Sequence, residues 1–140
     1  MVKNILIGVL IIVAGLLISD GIFIVHETER ALVLRFGAVT RDNIEPGIHF
    51  KLPIAEEARR FDGRILTLDS RPERYFTLEK KPLIVDSFVK WRVGNTQAYY
   101  TASSGDETRA RNLLSQRVNE GLRNQISRRD MHEVISGERD

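Results

Sequence analysis

Apolar residues follow two patterns along this chain. The first is continuous: Ile5–Val25, ILIGVLIIVAGLLISDGIFIV, is uncharged from Ile5 to Ile18 and is interrupted by Ser19-Asp20-Gly21 before Ile22–Val25. A helix needs about 20 residues, each rising 1.5 Å, to cross a hydrocarbon core, and this stretch supplies them. Asp20 is the costly residue, but it stands near one end, where the penalty is smaller and the preceding Ile, Leu and Val side chains outweigh it. Ser19-Asp20-Gly21 makes a poor small-x-small cleavage site. The stretch therefore predicts a retained transmembrane anchor over residues 1–26 rather than a removed signal peptide.

The second pattern is short alternation. In Ala31–Phe36 the leucines and Phe36 share one parity while Val33 and Arg35 take the other, which predicts a strand with one packed face. Gly37 opens a turn, Arg41-Asp42-Asn43 and Glu45-Pro46-Gly47 read as a loop, and Ile48–Leu52 is a second strand. Ala58–Asp62 and Ile65–Asp69 form a further pair around a tight turn at Gly63-Arg64. Arg74–Leu78 precedes the longest strand candidate, Leu83–Val93, with Val85, Val89, Trp91 and Val93 on one side and Ile84, Asp86, Phe88, Lys90 and Arg92 on the other. That strand is expected at the centre of a twisted sheet.

Beyond Gly94-Asn95 the period becomes helical. Thr96–Thr101 predicts a short helix that rests Tyr99 and Tyr100 on the sheet, and Ser104 with Glu107 has the spacing of a capping box. Ala110, Leu114, Val118, Leu122 and Ile126 then recur every four residues, predicting an amphipathic helix of about 22 residues. Its other face carries Arg109, Arg111, Arg117, Glu120 and Arg123, the main candidates for protein–protein contact, with Asp86 and Lys90 on the long strand as lesser ones. Met131–Ile135 begins another apolar turn, and no strand follows to close the domain, so 27–140 reads as one C-terminally incomplete domain. The whole is α+β: one anchor helix, then a mainly antiparallel sheet packed with helices.

Composition narrows the function. The 140 residues carry 21 basic and 19 acidic side chains, a formal charge of +2, with both signs mixed along the chain, which argues against nucleic acid as a partner. With no cysteine there is no disulfide and no thiolate chemistry. His26, His49 and His132 lack the spacing of a metal site, no serine stands in GxSxG, and neither GxxxxGK[ST] nor GxGxxG occurs. Catalytic, cofactor and metal residues are therefore all assigned as none. By residue count near the anchor, Lys3 against Arg30, Arg35 and Arg41 leans toward a cytoplasmic main domain.

The blocks HETERALVLRFGAV (26–39), EPGIHFKLPI (45–54) and RILTLDSRPERYFTLEKKPLIVDSFVKWRV (64–93), behind a single anchor, resemble the SPFH, or band 7/prohibitin, family. The resemblance implies an SPFH sheet near the membrane and, against the basic-residue count, a cytoplasmic N-terminus with the main domain in the periplasm, at a bacterial inner membrane. It further implies a non-enzymatic scaffold in a large hetero-oligomer. An HflK-like SPFH partner would share a cage around an FtsH-type AAA+ membrane protease and limit its access to substrates, with membrane lipids as additional partners. Two alternatives stand beside this: a scaffold that organises lipid microdomains, and a membrane serine hydrolase.

Overall fold

The computed structural model describes residues 1–136 and divides into two compact units, Met1–Arg64 with Arg92–Gly105, and Ile65–Trp91 with the described residues from Asp106 onward. The first unit contains α1 (Val2–Asp20), β1 (Ile22–Val25), β2 (Glu29–Arg35), β3 (Ala38–Ile44), β4 (Gly47–Phe50), β5 (Glu56–Asp62) and α2 (Thr96–Ser103). The second contains β6 (Leu66–Asp69), β7 (Glu73–Phe76), β8 (Pro82–Val85), β9 (Phe88–Trp91), α3 (Glu107–Ile126) and α4 (Met131–Ser136). The expected α+β class with antiparallel strands is the observed one. The end of the expected 27–140 domain, from 137 onward, lies outside the described residues.

The apolar opening is shorter as a helix than expected. α1 ends at Asp20, where the Gly21 N–H closes the last turn on Leu17 and Ile18. Ile22–Val25 is not helix but strand, paired with β4 in the register Ile22↔Phe50 to Val25↔Gly47. Alternation explains the change: Phe23 and Val25 are buried and Ile22 and Ile24 exposed, a period of two. The boundary expected after residue 26 thus follows a paired strand rather than the end of the helix.

In the first unit β2 is the middle strand of the sheet β3-β2-β5, antiparallel to both neighbours. The expectation of one packed face is corrected here, for both faces are covered. Ala31 and Val33 pack with Phe23, Val25 and Ile44. Leu32 and Leu34 pack with Phe61, and Val39, Tyr99 and Tyr100 close over them. Phe36 does not continue the buried row; it is 88% exposed and, with Gly37, has positive φ (49° and 84°). Two successive left-handed residues are what a two-residue hairpin turn with native twist requires. The loop expected at 41–47 is mostly strand β3, whose pairing with β2 is bulged. Gly63-Arg64 does not close a hairpin either; the Gly63 N–H bonds Thr28 O, and β5 and β6 pair with different strands.

α2 is fixed through one residue pair. Its first residue, Thr96, is fully buried, donates its N–H to Asn43 Oδ1 (3.0 Å) and receives the Asn43 N–H on Oγ1 (2.7 Å). A first-turn N–H that the helix cannot satisfy is thereby satisfied by β3. Tyr99 meets Phe61 edge to face at 5.2 Å, as expected for rings resting on the sheet. The capping box is not formed. Ser104 instead ends α2 in the left-handed region (φ 57°), and Asp106 caps α3, accepting from Thr108 and Arg109 N–H. Gly105 between them has φ 79°, and a Cβ there would stand 2.8 Å from Phe61 Cε1, so only glycine fits.

In the second unit the expected long strand Leu83–Val93 is two strands. β8 pairs with β7 and β9 with β6, and the chain breaks pairing at Asp86-Ser87, so no strand there is central. Its side-chain parity is as expected: Leu83, Val85, Val89 and Trp91 are half-buried, while Ile84, Asp86, Phe88 and Lys90 are exposed. α3 turns Leu114, Val118, Leu122 and Ile126 inward. Tyr75 is buried, and its hydroxyl reaches Asn119 Oδ1 (3.4 Å), whose amide donates to Glu73 Oε1 (3.0 Å). Burial, with Glu73 alongside, raises the Tyr75 pKa.

One buried carboxylate organises the first unit's hairpin ends. Glu56 starts β5 opposite Arg35; its Oε2 accepts the Leu52 N–H (2.9 Å) and its Oε1 accepts Arg35 Nη2 (2.7 Å), with Arg41 Nη2 at 3.6 Å. The Leu52 N–H first, and then Arg35, hold its pKa below the ordinary carboxylate range. A lowered folded-state pKa stabilises above the unfolded value and is lost as pH falls through the folded one. Glu56→Gln should therefore cost about 1–2 kcal/mol at pH 7, with the gap to wild type closing below about pH 4, in chemical unfolding followed over pH. A gap that stays constant from pH 7 to 3 would contradict the assignment.

Candidate interaction surfaces

Among the described residues two surfaces lack partners within the chain, one apolar and one charged, on different units. The apolar one begins with α1. Its mean hydropathy is 2.4 over 18 of its 19 residues, and none is buried, so the helix is long and apolar enough to cross a membrane. Asp20 stands at its last turn, and Lys51 Nζ lies 3.1 Å from its Oδ2 while the Ile54 N–H donates to the same oxygen at 3.4 Å. The charge that counted against a span is thus at its end and carries a counter-ion.

The β1–β4 ribbon continues this surface. The Lys51 N–H bonds Gly21 O at 2.8 Å, joining the strand end to the helix end. Phe23 and Val25 turn to the core, with Phe23 stacked obliquely on His49 at 5.6 Å. Ile22, Ile24, Ile48 and Phe50 turn outward and are exposed, as are Leu52 and Ile54 just beyond. Ile22 and Phe50, partners in register, also line an apolar hollow of about 300 Å³ with Leu17 and Ile18 of the helix. An apolar patch that runs unbroken from a spanning helix onto a ribbon is larger than a monomer in water normally leaves open.

The charged surface belongs to α3. Arg109, Arg117, Glu120 and Arg123 are all exposed on the side away from Leu114 and Val118. Arg117 and Glu120 pair at 3.7 Å. Arg111 parts from them: it lines a cleft formed with the β6–β7 connection and lies 3.8 Å from Glu107. Asp86 and Lys90 are exposed on β8–β9, and neither makes an ion pair among the described residues. The structure thus gathers four of the seven predicted residues on one helix face and leaves the other three apart from them.

Sequence reasoning missed Glu56, Asn43 with Thr96, and Asn119. Polar residues of ordinary local context, they acquire their roles from partners 21, 53 and 46 positions away, so no spacing rule marks them. Among the described residues no group of three His, Asp or Glu side chains is placed to hold a metal.

Comparison with known proteins identifies the family. The "Protein HflC" of Vibrio parahaemolyticus is 39% identical over 144 residues, covering 98% of this chain and 44% of that protein. The "Modulator of FtsH protease HflC" of Escherichia coli K12 is 39% identical over 137 residues, 93% of this chain and 41% of that protein. "Protein HflC" of Haemophilus influenzae is 40% identical over 144 residues, 98% and 48%. The chain therefore spans less than half the length of these curated relatives. The profile of the SPFH domain / Band 7 family matches residues 23–140, beginning within β1. With that match over most of its length, and relatives at this identity, the chain belongs to the SPFH domain / Band 7 family.

Proposed function

We propose that this chain is the membrane-proximal part of a non-enzymatic scaffold of the bacterial inner membrane. It is anchored by α1 with its N-terminus in the cytoplasm and its main domain in the periplasm. There it assembles laterally with an HflK-like protein of the same family into a cage around an FtsH-type membrane protease and limits that protease's access to substrates. The observation that carries the reading is the similarity over 93% of this chain to a protein called a modulator of FtsH protease, joined to a wholly exposed apolar helix. The exposed α3 face supports lateral contact: mixed charges on a rigid helix fix register between subunits, and modest contacts repeated around a closed ring hold subunits that bind weakly in pairs.

A second reading, a scaffold that organises lipids without acting on a protease, is favoured by the outward Ile22, Ile24, Ile48 and Phe50. The serine-hydrolase alternative has less behind it. Among the described residues the serine hydroxyls with partners donate to backbone carbonyls, and none meets a lysine or an imidazole.

The first two readings part in one experiment. The full-length protein purified from membranes should bring down an HflK-like and an FtsH-type protein, and its deletion should change the turnover of membrane substrates of that protease. Altered lipid distribution with unchanged turnover and no such partners would favour the lipid reading instead. Sidedness is tested separately. As the chain has no cysteine, a single Gln116→Cys on the exposed side of α3 should react with a membrane-impermeant maleimide in intact spheroplasts. Labelling only after lysis would place the domain in the cytoplasm. Reversing Arg109, Arg117 and Arg123 to Glu, at about 0.5 kcal/mol per exposed charge in each contact, should lower assembly mass in light scattering while membrane insertion stays complete. Unchanged mass would remove α3 from the contact.

A further inference from the structure

We propose that the apolar hollow where α1 meets the β1–β4 ribbon is a binding site for one acyl chain of a membrane phospholipid. The site rests on the anchoring of α1 and on no other part of the scaffold reading. Leu17 and Ile18 line it from the last turn of α1, Gly21 and Ile22 from the start of the ribbon, and Phe50, Lys51 and Pro53 from the end of β4 and the residues just beyond. Its volume of about 300 Å³ is at the lower end of small-molecule sites.

Nothing in this lining calls for a polar ligand. The two charges beside it, Asp20 and Lys51, are paired at 3.1 Å and cancel. The Lys51 side chain is only 12% exposed, so it is the apolar stem, rather than a free ammonium, that lines the hollow. Ile18, Ile22 and Phe50, in contrast, are large apolar side chains left uncovered.

Gly21 is the most informative residue. A glycine at a helix end ordinarily serves a left-handed cap, but Gly21 has φ −75° and ψ −11°, a conformation open to any residue. A Cβ there would meet its nearest neighbours, the carbonyl oxygens of Leu17, Ile18 and Lys51, at 3.4 Å, an ordinary contact. Neither backbone nor packing requires glycine. What the missing side chain provides is room in the hollow.

Depth selects the occupant. Leu17 and Ile18 lie within about one helical turn of Asp20, the level at which a spanning α1 leaves hydrocarbon for the interface. Water there would find few polar partners, and an empty hollow would forfeit dispersion contacts with its lining. A phospholipid chain is the apolar group present at that depth. It reaches the hollow along the surface that α1 already presents to lipid, and it removes Ile22 and Phe50 from interfacial water.

The test reconstitutes the full chain in phosphatidylethanolamine–phosphatidylglycerol vesicles doped with a phospholipid that carries a photoactivatable diazirine on one acyl chain, and maps the carbene adducts by mass spectrometry. Adducts at Ile22 and Pro53 should be roughly fivefold denser than at Ile24 and Ile48, exposed or outward residues of the same ribbon that do not line the hollow. Gly21→Leu, which fills the hollow, should bring the two pairs level. Phe50→Ala, which removes an exposed lining residue and leaves the core untouched, should do the same. Gly15→Leu, an equal enlargement into open space on α1, should change nothing. Two failures are told apart by extracting the vesicles with sodium carbonate. A chain that stays in the membrane but shows equal adducts at both pairs in wild type, or the same excess in wild type and Gly21→Leu, would overturn the site alone and give the hollow to bulk lipid or to a protein partner. A chain released by carbonate would overturn the anchoring and the site with it.

Discussion

In the first unit β2 has no face that meets water. A strand in an antiparallel sheet ordinarily alternates between core and solvent, yet Ala31, Leu32, Val33 and Leu34 are all buried, and each parity feeds a different cluster. Removing any of these side chains would open a cavity between layers rather than at a surface, the situation in which truncation is most costly. Almost everything else in that unit follows from the need to cover two sides at once. One side is covered by the β1–β4 ribbon, through Phe23 and Val25. The other is covered by α2, which supplies Tyr99 and Tyr100 although it lies some 65 positions along the chain from β2.

The requirement also explains why the apolar opening is divided. Ile5–Ile18 is apolar all round, as a lipid-facing helix must be. From Ile22 the same residue types take a two-residue period because two of them, Phe23 and Val25, are needed over Ala31 and Val33. Gly21, the end of the helix and the start of the ribbon, is the point where, on the proposed anchoring, the chain would pass from one solvent to another. Asp20 and Lys51 sit at that passage, where an ion pair is cheaper than in hydrocarbon and firmer than in open water.

How much of this was legible depended on range. The anchor, the buried parity of Leu83–Val93 and the stripe Ala110–Ile126 came from periodicity, which local sequence carries in full. What periodicity could not show was pairing. Leu83–Val93 keeps one parity throughout, yet its pairing breaks at Asp86-Ser87 and divides between β6 and β7; alternation says which way a side chain points and nothing about its neighbour. Ser104 and Asp106 compete for the same cap, and spacing to Glu107 favoured Ser104. The choice fell to Asp106 because Gly105 must pass close over Phe61 and Ser104 closes the helix before it. The candidate surface was half legible: a helical wheel gathers Arg109, Arg117, Glu120 and Arg123 and sets Arg111, three and seven residues before Leu114 and Val118, on the other side, where it lines the cleft with the β6–β7 connection.

The two unpartnered surfaces differ in what they demand of a partner. The apolar surface, from α1 through the ribbon's outer isoleucines and Phe50, gains by burial in anything apolar, and its energy scales with area rather than with geometry. Lipid satisfies it without specificity. The α3 face gains little from burial, since its guanidiniums are well hydrated and exposed pairs such as Arg117–Glu120 contribute weakly on their own. Its value lies in discrimination, because misplaced like charges repel while matched ones fix register and partner. A chain with one surface that binds strongly and indiscriminately and another that binds weakly and selectively is suited to being concentrated in a plane first and sorted by neighbours second. On the proposed anchoring, copies held in two dimensions by α1 would meet at a high effective concentration, where contacts too weak to assemble in solution would suffice.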